Sequence, residues 1–565
     1  MRSASTFGKR AGRIIFVDFE SGAAPSLCVE KNRVVRSAFK VGGFTSLSRL
    51  LGLVRDVLTA NAFGVSSVMS DFVVAFRLPN LFRALFGEGA LSSAFVPVFV
   101  ATRREQGEAE AWEVARKTAT VVAFFLCILV AILIVGTYGL EAWNPDLAAR
   151  APHLLPLARV MMPYLLFICL AGLFMAMLNA CHHFALPAFA PSLLNMIWIA
   201  SVALVCPRLG DQPDQQIYGV AAAVLAAGLA QMGIQLPVLI KLGFRPRPVW
   251  GWADPRVRRV FRLMAPTALG QSVTQVNVMV NALLARWAAP WAPASLFYAE
   301  RLLYFPQGLL ATAMSTVLLP VFSGHAAKGD HAELRQTLNH SLRTLLFVMV
   351  PAAVGLLTLS GPIVQLIYGS GRFDAEAASR TAVALRFYAP GLMVFCLAKV
   401  FVPAFYALQD TGTPFRIGLR CVALNFVLNV LFVVTWPAEL KHAGLALSTV
   451  ISEAVNGLTL GWLLHRRLGS PGWASILASA GRALLCSAAM VLAIWISMET
   501  MARFIGSIGV RGKWGEAATV LATIGFGMLV YFTSARLIRA PELQFAADAL
   551  RNRRCSKAVT GEESP

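Results

Sequence analysis

The chain has 565 residues, 57% of them hydrophobic and 14% charged, with a formal net charge of +21. Soluble domains carry about 25% charged residues, so this composition, with a mean hydropathy of +0.64, excludes a soluble protein and leaves no room for a sizeable soluble domain. The basic excess lies largely in predicted loops and reads as membrane topology, not as nucleic-acid binding.

A membrane-spanning helix needs about 20 mostly apolar residues, and about fourteen stretches meet that rule. They begin near residues 38, 68, 113, 154, 187, 216, 258, 294, 340, 379, 415, 441, 474 and 513. Residues 1–35 are expected to be a disordered cytoplasmic extension. The 13–19 patch is too short for a signal peptide, contains Asp18 and is followed by Glu20. The loop holding Lys241, Arg245, Arg247, Arg256, Arg258, Arg259 and Arg262, the pair Arg466-Arg467 and the 541–565 basic tail are placed on the cytoplasmic side. An even number of spans then puts both termini there.

Span one carries Arg49, Arg55 and Asp56. Arg49 and Asp56 are seven apart and share a helix face, with Arg55 about 120° round from Arg49. One reading is an arginine pair lining a cavity, with Asp56 holding a cation in place. The other is a structural Arg–Asp pair near the outer interface, which suits Arg55 better than Arg49. Span two carries Asp71, Arg77, Pro79, Arg83 and Glu88. Pro79 frees a backbone carbonyl and kinks a helix. Asp71 and Glu88 are candidate counter-ions, gating partners or helix-end charges. Arginine in lipid costs about 2.5–3.5 kcal/mol, so such residues face water or the bundle interior. Its planar fork suits phosphate.

The halves of the chain repeat. Arg77-Leu78-Pro79 leads to Pro97-Val98-Phe99, and Arg301-Leu302-Leu303 leads to Pro320-Val321-Phe322 at nearly equal spacing. Leu178-Asn179-Ala180 precedes Pro187 as Leu408-Gln409-Asp410 precedes Pro414. The expected architecture is all-α and polytopic: a lobe of six helices over 36–245, a second over 246–470, and a helix pair over 471–540. The two lobes are related by a pseudo-two-fold axis along the membrane normal, as in repeat-built transporters. Arg301 is then expected to face Arg77 across that axis, with Glu300 beside it as a further counter-ion. Lys399 is a candidate cavity cation, and Glu453 reads as a packed polar group.

The nine cysteines are scattered with no CxxC spacing, and His182-His183 lacks a third ligand, so neither disulfides nor a metal is expected. No nucleotide loop of the GxxxxGK[ST] type and no catalytic set is present. A transporter without a cofactor is expected, not an enzyme.

Ser48-Arg49, Gly52, Arg55-Asp56, Phe76-Arg77-Leu78-Pro79-Asn80-Leu81, Arg83, Glu88-Gly89-Ala90 and Ser93–Pro97 together resemble the MurJ (MviN) lipid II flippases. Pro187–Pro191, Tyr298–Leu302, Phe305-Pro306 and Lys441–Leu445 are similar to them too. The resemblance runs from about residue 36 to about residue 540. It implies the multidrug/oligosaccharidyl-lipid/polysaccharide exporter fold and a flippase moving lipid II by alternating access in the bacterial cytoplasmic (inner) membrane, for peptidoglycan, cell wall and cell shape. It places Ser48, Arg49, Arg55, Arg83 and Arg301 at cavity positions, Asp71 near another, and Arg77 where a relative has lysine. It implies a lipid-tail groove at the C-terminal pair. Coupling to Na+, H+ or the membrane potential, contacts with membrane lipids and cell-wall synthesis or division proteins, and a monomer are expected. A flippase for another lipid-linked sugar, a multidrug cation antiporter of the same fold and a scaffold for wall synthesis are the alternatives.

Overall fold

The computed structural model describes residues 24–84, 90–507 and 512–543. Among them every regular element is helical. The first half holds α1 (Ala24–Phe63), α2 (Ser67–Phe82), α3 (Ala90–Glu105), α4 (Glu108–Trp143), α5 (Pro145–Arg150), α6 (Leu154–Met161), α7 (Tyr164–Ala180), α8 (Ala185–Ala200), α9 (Pro213–Gly233) and α10 (Leu236–Lys241). The second holds α11 (Pro255–Ala288), α12 (Ala292–Ala327), α13 (His331–Thr358), α14 (Ser360–Tyr368), α15 (Ala375–Tyr388), α16 (Gly391–Ala407), α17 (Gly412–Thr435) and α18 (Lys441–Leu468). The chain continues into α19 (Trp473–Ser507) and α20 (Lys513–Leu537). Helix α1 begins inside the segment expected to be a disordered extension. Pro25 sits at its first turn, where its missing N–H costs nothing, and no further proline follows before Phe63.

Nine helical stretches among the described residues are long and apolar enough to cross a membrane, and the α15–α16 pair, bent by 44°, makes a tenth. The other four segments expected as spans lie in α1, α2–α3, α11 and α12, outside that set. These four carry Arg49, Arg55, Asp56, Asp71, Arg77, Arg83, Arg286, Glu300 and Arg301. The apolarity that marks a span is lowest where the chain concentrates its charge.

Short polar links separate the helices, and acids often start them. Asp254 accepts from Arg256 N at 2.9 Å, Asp330 from Glu333 N at 3.0 Å, and Asp374 from Ala377 N at 2.7 Å. The polar runs 103–117 and 328–343 are each the end of one helix, a glycine turn at Gly107 or Gly329, and the start of the next.

The internal repeat is visible in the backbone. Pro163 breaks α6 from α7, and Pro390 breaks α15 from α16. At equal spacing beyond them, His182 and Gln409 take left-handed conformations, with φ of 61° and 58°. His183 N then bonds to Leu178 O at 2.9 Å and Asp410 N to Phe405 O at 3.0 Å, the same C-terminal capping motif in both halves.

Helix α1 packs on α8, and α7, α8 and α9 pack together. In the second half, α12 packs on α15 and α16, and α16 and α17 pack on α18. Helix α11 crosses between the halves, touching α2, α3 and α17. A large apolar core including Phe72, Tyr164, Tyr298, Phe322 and Phe405 runs through both. Helices α19 and α20 pack on each other, and α19 lies on α13, with Phe347, Met490, Ile494 and Tyr531 buried between them. Tyr531 Oη donates to Phe347 O at 2.6 Å. Outward faces expose Ile132, Val135, Leu485 and Ile496, the surface a lipid solvent favours.

Candidate substrate-binding site

The charged segments of α1, α2, α11 and α12 converge. On α1, Arg55 is buried. Its Nε and NH2 donate to Asp56 Oδ1 at 3.0 and 2.7 Å, its NH1 donates to Asn195 Oδ1 at 3.0 Å, and its guanidinium lies 4.8 Å from the Trp198 ring centre. Every face of the fork is occupied by α1 or α8, so the structural Arg–Asp pair considered for Arg55 is present. Arg49, two turns earlier, is exposed and donates to Gly308 O on α12 at 3.1 Å. Asp56 does not pair with Arg49. Its second oxygen lies 3.4 Å from Arg301 Nε. Asn195 also donates to Ser48 O at 2.9 Å, tying Ser48 to the same cluster.

Helix α2 runs through Pro79 without ending. Arg77 NH2 donates to Glu300 Oε2 at 3.2 Å, and Tyr388 Oη donates to Glu300 Oε1 at 3.2 Å. Val73, Arg77, Asn281, Glu300, Tyr388 and Thr449 line a narrow cleft there. Arg301, expected opposite Arg77, turns instead to α1, because consecutive helix residues point about 100° apart. It is 40% exposed and lies 4.8 Å from the Phe297 ring centre. Arg83 donates to Asn80 Oδ1 at 2.9 Å on its own helix. Glu88 lies outside the described residues. Lys399 on α16 is exposed and makes no ion pair among the described residues. Glu453 accepts from Asn456 at 3.2 Å, a local polar contact.

Asp71 is fully buried. Arg286 Nε on α11 donates to its Oδ1 at 2.6 Å, and Arg286 NH2 donates to Arg150 O at 2.5 Å. Arg286 was missed in the sequence, although an arginine within Ala282–Trp287 carries the same signal as Arg49. Asn195, Trp198 and Tyr388 were missed because nothing in an uncharged polar or aromatic residue marks it as an arginine's partner.

Four arginines (49, 55, 77 and 301) and two carboxylates (Asp56 and Glu300) therefore join α1 and α2 to α12. The cluster keeps a cationic excess. Arg49 and Arg301 present exposed guanidinium groups, while Arg55 is spent on holding Asp56. Such a cationic arrangement is chemically suited to an anion that displaces or shares the carboxylates. Charge-assisted bidentate bonds to a phosphate group are the natural use of a planar fork.

A family described as "Lipid II flippase MurJ" matches residues 59–510. The chain belongs to this family. The lipid II flippase MurJ of Burkholderia cenocepacia is 36% identical over 473 residues, covering 81% of this chain and 88% of its own. Among solved structures, a lipid II flippase MurJ in an inward closed conformation aligns with a TM-score of 0.70 at 24% identity, over 88% of this chain and 98% of its own. An inward-facing multidrug resistance MATE family transporter of the MOP superfamily aligns with a TM-score of 0.62 at 13% identity, over 77% and 98%. The fold is thus that of MurJ and MATE transporters, as the sequence resemblance implied. The chain is a multi-pass membrane protein.

Proposed function

We infer that this chain is a lipid II flippase, moving the undecaprenyl-diphosphate-linked peptidoglycan precursor from the cytoplasmic to the outer leaflet of the bacterial inner membrane. Its 36% identity to a MurJ flippase over most of both chains carries the reading. The arginine cluster supplies the chemistry. Moving a diphosphate to membrane depth costs desolvation, and close cations at low dielectric offset it. Arg49, Arg301 and Arg83 bind the diphosphate, with Arg77 at the cleft and Ser48 beside Arg49. Arg55 positions Asp56. Asp56, Asp71, Glu88 and Glu300 are the counter-ions that such an anion exchanges with or that hold the gate. Lys399 is a further cavity cation.

Alternating access follows from rocking of the 36–245 and 246–470 lobes, with the 471–540 pair beside the lipid tail. The two repeated backbone breaks support that division. A Na+ or H+ gradient or the membrane potential drives the cycle, because the chain has no nucleotide loop. Both termini face the cytoplasm, on the side of the Arg245–Arg262 loop. The protein acts as a monomer alongside wall-synthesis or division proteins.

The test is outer-leaflet exposure of lipid II in cells depleted of their own flippase. The wild-type chain is expected to restore exposure, and Arg49→Ala or Arg301→Ala to leave it near the depleted level at normal protein abundance. A well-expressed wild-type chain that restores nothing overturns the lipid II reading in favour of another lipid-linked sugar.

A further inference from the structure

One contact joins the halves away from the arginine cluster. The turn between α14 and α15, residues 369–373, is pressed against the C-terminal end of α1. Arg372 N donates to Asn61 O at 2.9 Å. The Arg372 side chain donates from NH1 to Ala62 O at 3.2 Å and to Gln216 Oε1 at 3.3 Å, and from NH2 to Asp211 O. A guanidinium there meets the unsatisfied carbonyls and negative dipole end of a helix.

The approach is too close for side chains. Gly64 and Gly371 have φ of +56° and +59°. A Cβ on Gly64 would lie 2.2 Å from Arg372 O, and one on Gly371 1.7 Å from Asn61 Oδ1. The turn is also anchored behind. Phe373 is buried, its ring centre 5.6 Å from those of Tyr298 and Tyr368, and Tyr298 lies one helical turn before Arg301 on α12. The turn therefore moves with α12 and grips α1.

The repeat supplies a mate. At the end of α11, Arg286 reaches back to the carbonyl of Arg150, the last residue of α5 in the first half. In each half, the segment before the proline-broken pair (α6–α7 or α15–α16) meets the end of the other half's first helix. On the fourteen-span reading, the segments at 64–66, 144–153, 208–213, 289–291 and 369–374 share one side of the membrane, opposite to the Arg245–Arg262 loop.

We propose that Arg372, seated on the end of α1 by Gly64 and Gly371, is a latch that closes the outer face of the transporter and must release for the outward-open state. The contact of Arg286 with the Arg150 carbonyl joins the repeat-related pair of elements, with the arginine on the helix end instead of the turn. The proposal rests on the transport reading for its consequence and on the turn geometry for its existence.

Two measurements separate these. In the first, Asn61→Cys and Arg372→Cys are combined and joined by a short bis-maleimide added from outside. Lipid II exposure is expected to fall at least tenfold relative to either single-cysteine variant given the same reagent. Exposure that continues unchanged in quantitatively cross-linked protein overturns the latch while leaving the flippase reading intact. The second measurement needs no substrate. A buried reporter, Ala299→Cys, is labelled with a membrane-impermeant maleimide from the outer side. Adding Arg372→Ala or Gly371→Val is expected to speed labelling several-fold. Unchanged labelling in both backgrounds overturns the latch whatever the protein carries.

Discussion

Glu300 and Arg301 are neighbours in the chain, yet they clasp opposite charges on two different helices. Glu300 takes Arg77 of α2 at 3.2 Å, and Arg301 takes Asp56 of α1 at 3.4 Å. A single turn of α12 thereby engages both charged helices of the first half with reciprocal polarity.

Breaking one arm of this clasp is expected to impair transport more than folding. Both side chains of the Arg77–Glu300 pair are about one-fifth exposed, so Glu300→Gln should cost about 1–2 kcal/mol, below the value for a fully buried pair. Lipid II exposure should drop well beyond what protein abundance explains. The charge-swapped double variant Arg77→Glu/Glu300→Arg should recover part of the loss. Additive losses in the double variant would show that the two residues act independently.

Arg286→Ala is expected to be a stability defect. It strands the buried carboxylate of Asp71, a change that costs about 3–5 kcal/mol when a buried charge loses its partner. Thermal unfolding in detergent should occur at a clearly lower temperature. Adding Asp71→Asn should restore most of the difference, because the amide carries no charge. A double variant as unstable as the single would mean that the Asp71 charge is not the cause.

Arg49 and Arg55 should part company. Arg49→Ala removes an exposed group with one backbone partner and should leave abundance normal while exposure of lipid II collapses. Arg55→Ala uncovers Trp198 and leaves Asp56 with the longer Arg301 contact, and should lower the amount of folded protein as well. The ratio of exposure to abundance distinguishes them. Equal ratios would refute the division of roles.

At the link before α11, the Arg256 side chain bonded to Asp254 holds that carboxyl well below the usual carboxylate range, against the opposing effect of burial. A depressed carboxylate contributes stability above its unfolded value of about 3.9, and the contribution fades as pH falls toward the folded value. Asp254→Asn is therefore expected to lower the unfolding temperature at pH 7 and at pH 5 alike, with the gap to wild type narrowing only below about pH 4. A gap that shrinks between pH 7 and 5 would contradict this.

The helix starts were legible in the sequence to within a few residues for most spans, because acid caps, glycine turns and apolar runs are local. The four charged segments were legible through the arginines themselves. Pairing was less so. Arg55 reaches Asn195 and Arg286 reaches Asp71 over contacts that exist only after folding. The repeat suggested Arg301 facing Arg77, but Arg301 turns to Asp56 on α1. The partner of Arg77 is Glu300, one residue away and about 100° round the helix. Helix α1 extended earlier than expected because polar composition alone does not forbid a helix.

The C-terminal pair has a narrow attachment. Asn339 donates to Pro471 O at 2.6 Å and to Ser475 Oγ at 2.8 Å, Arg343 clasps Glu542 at 2.6 Å, and Tyr531 is tied to Phe347. All these anchors stand on α13. Helix α20 also touches α14, so the pair is a passenger seated chiefly on α13 with α14 beside it. A tilt of α13 is therefore transmitted to the pair, and on the proposed flippase reading a lipid tail lodged there would keep its address on the carrier while the first half swings away.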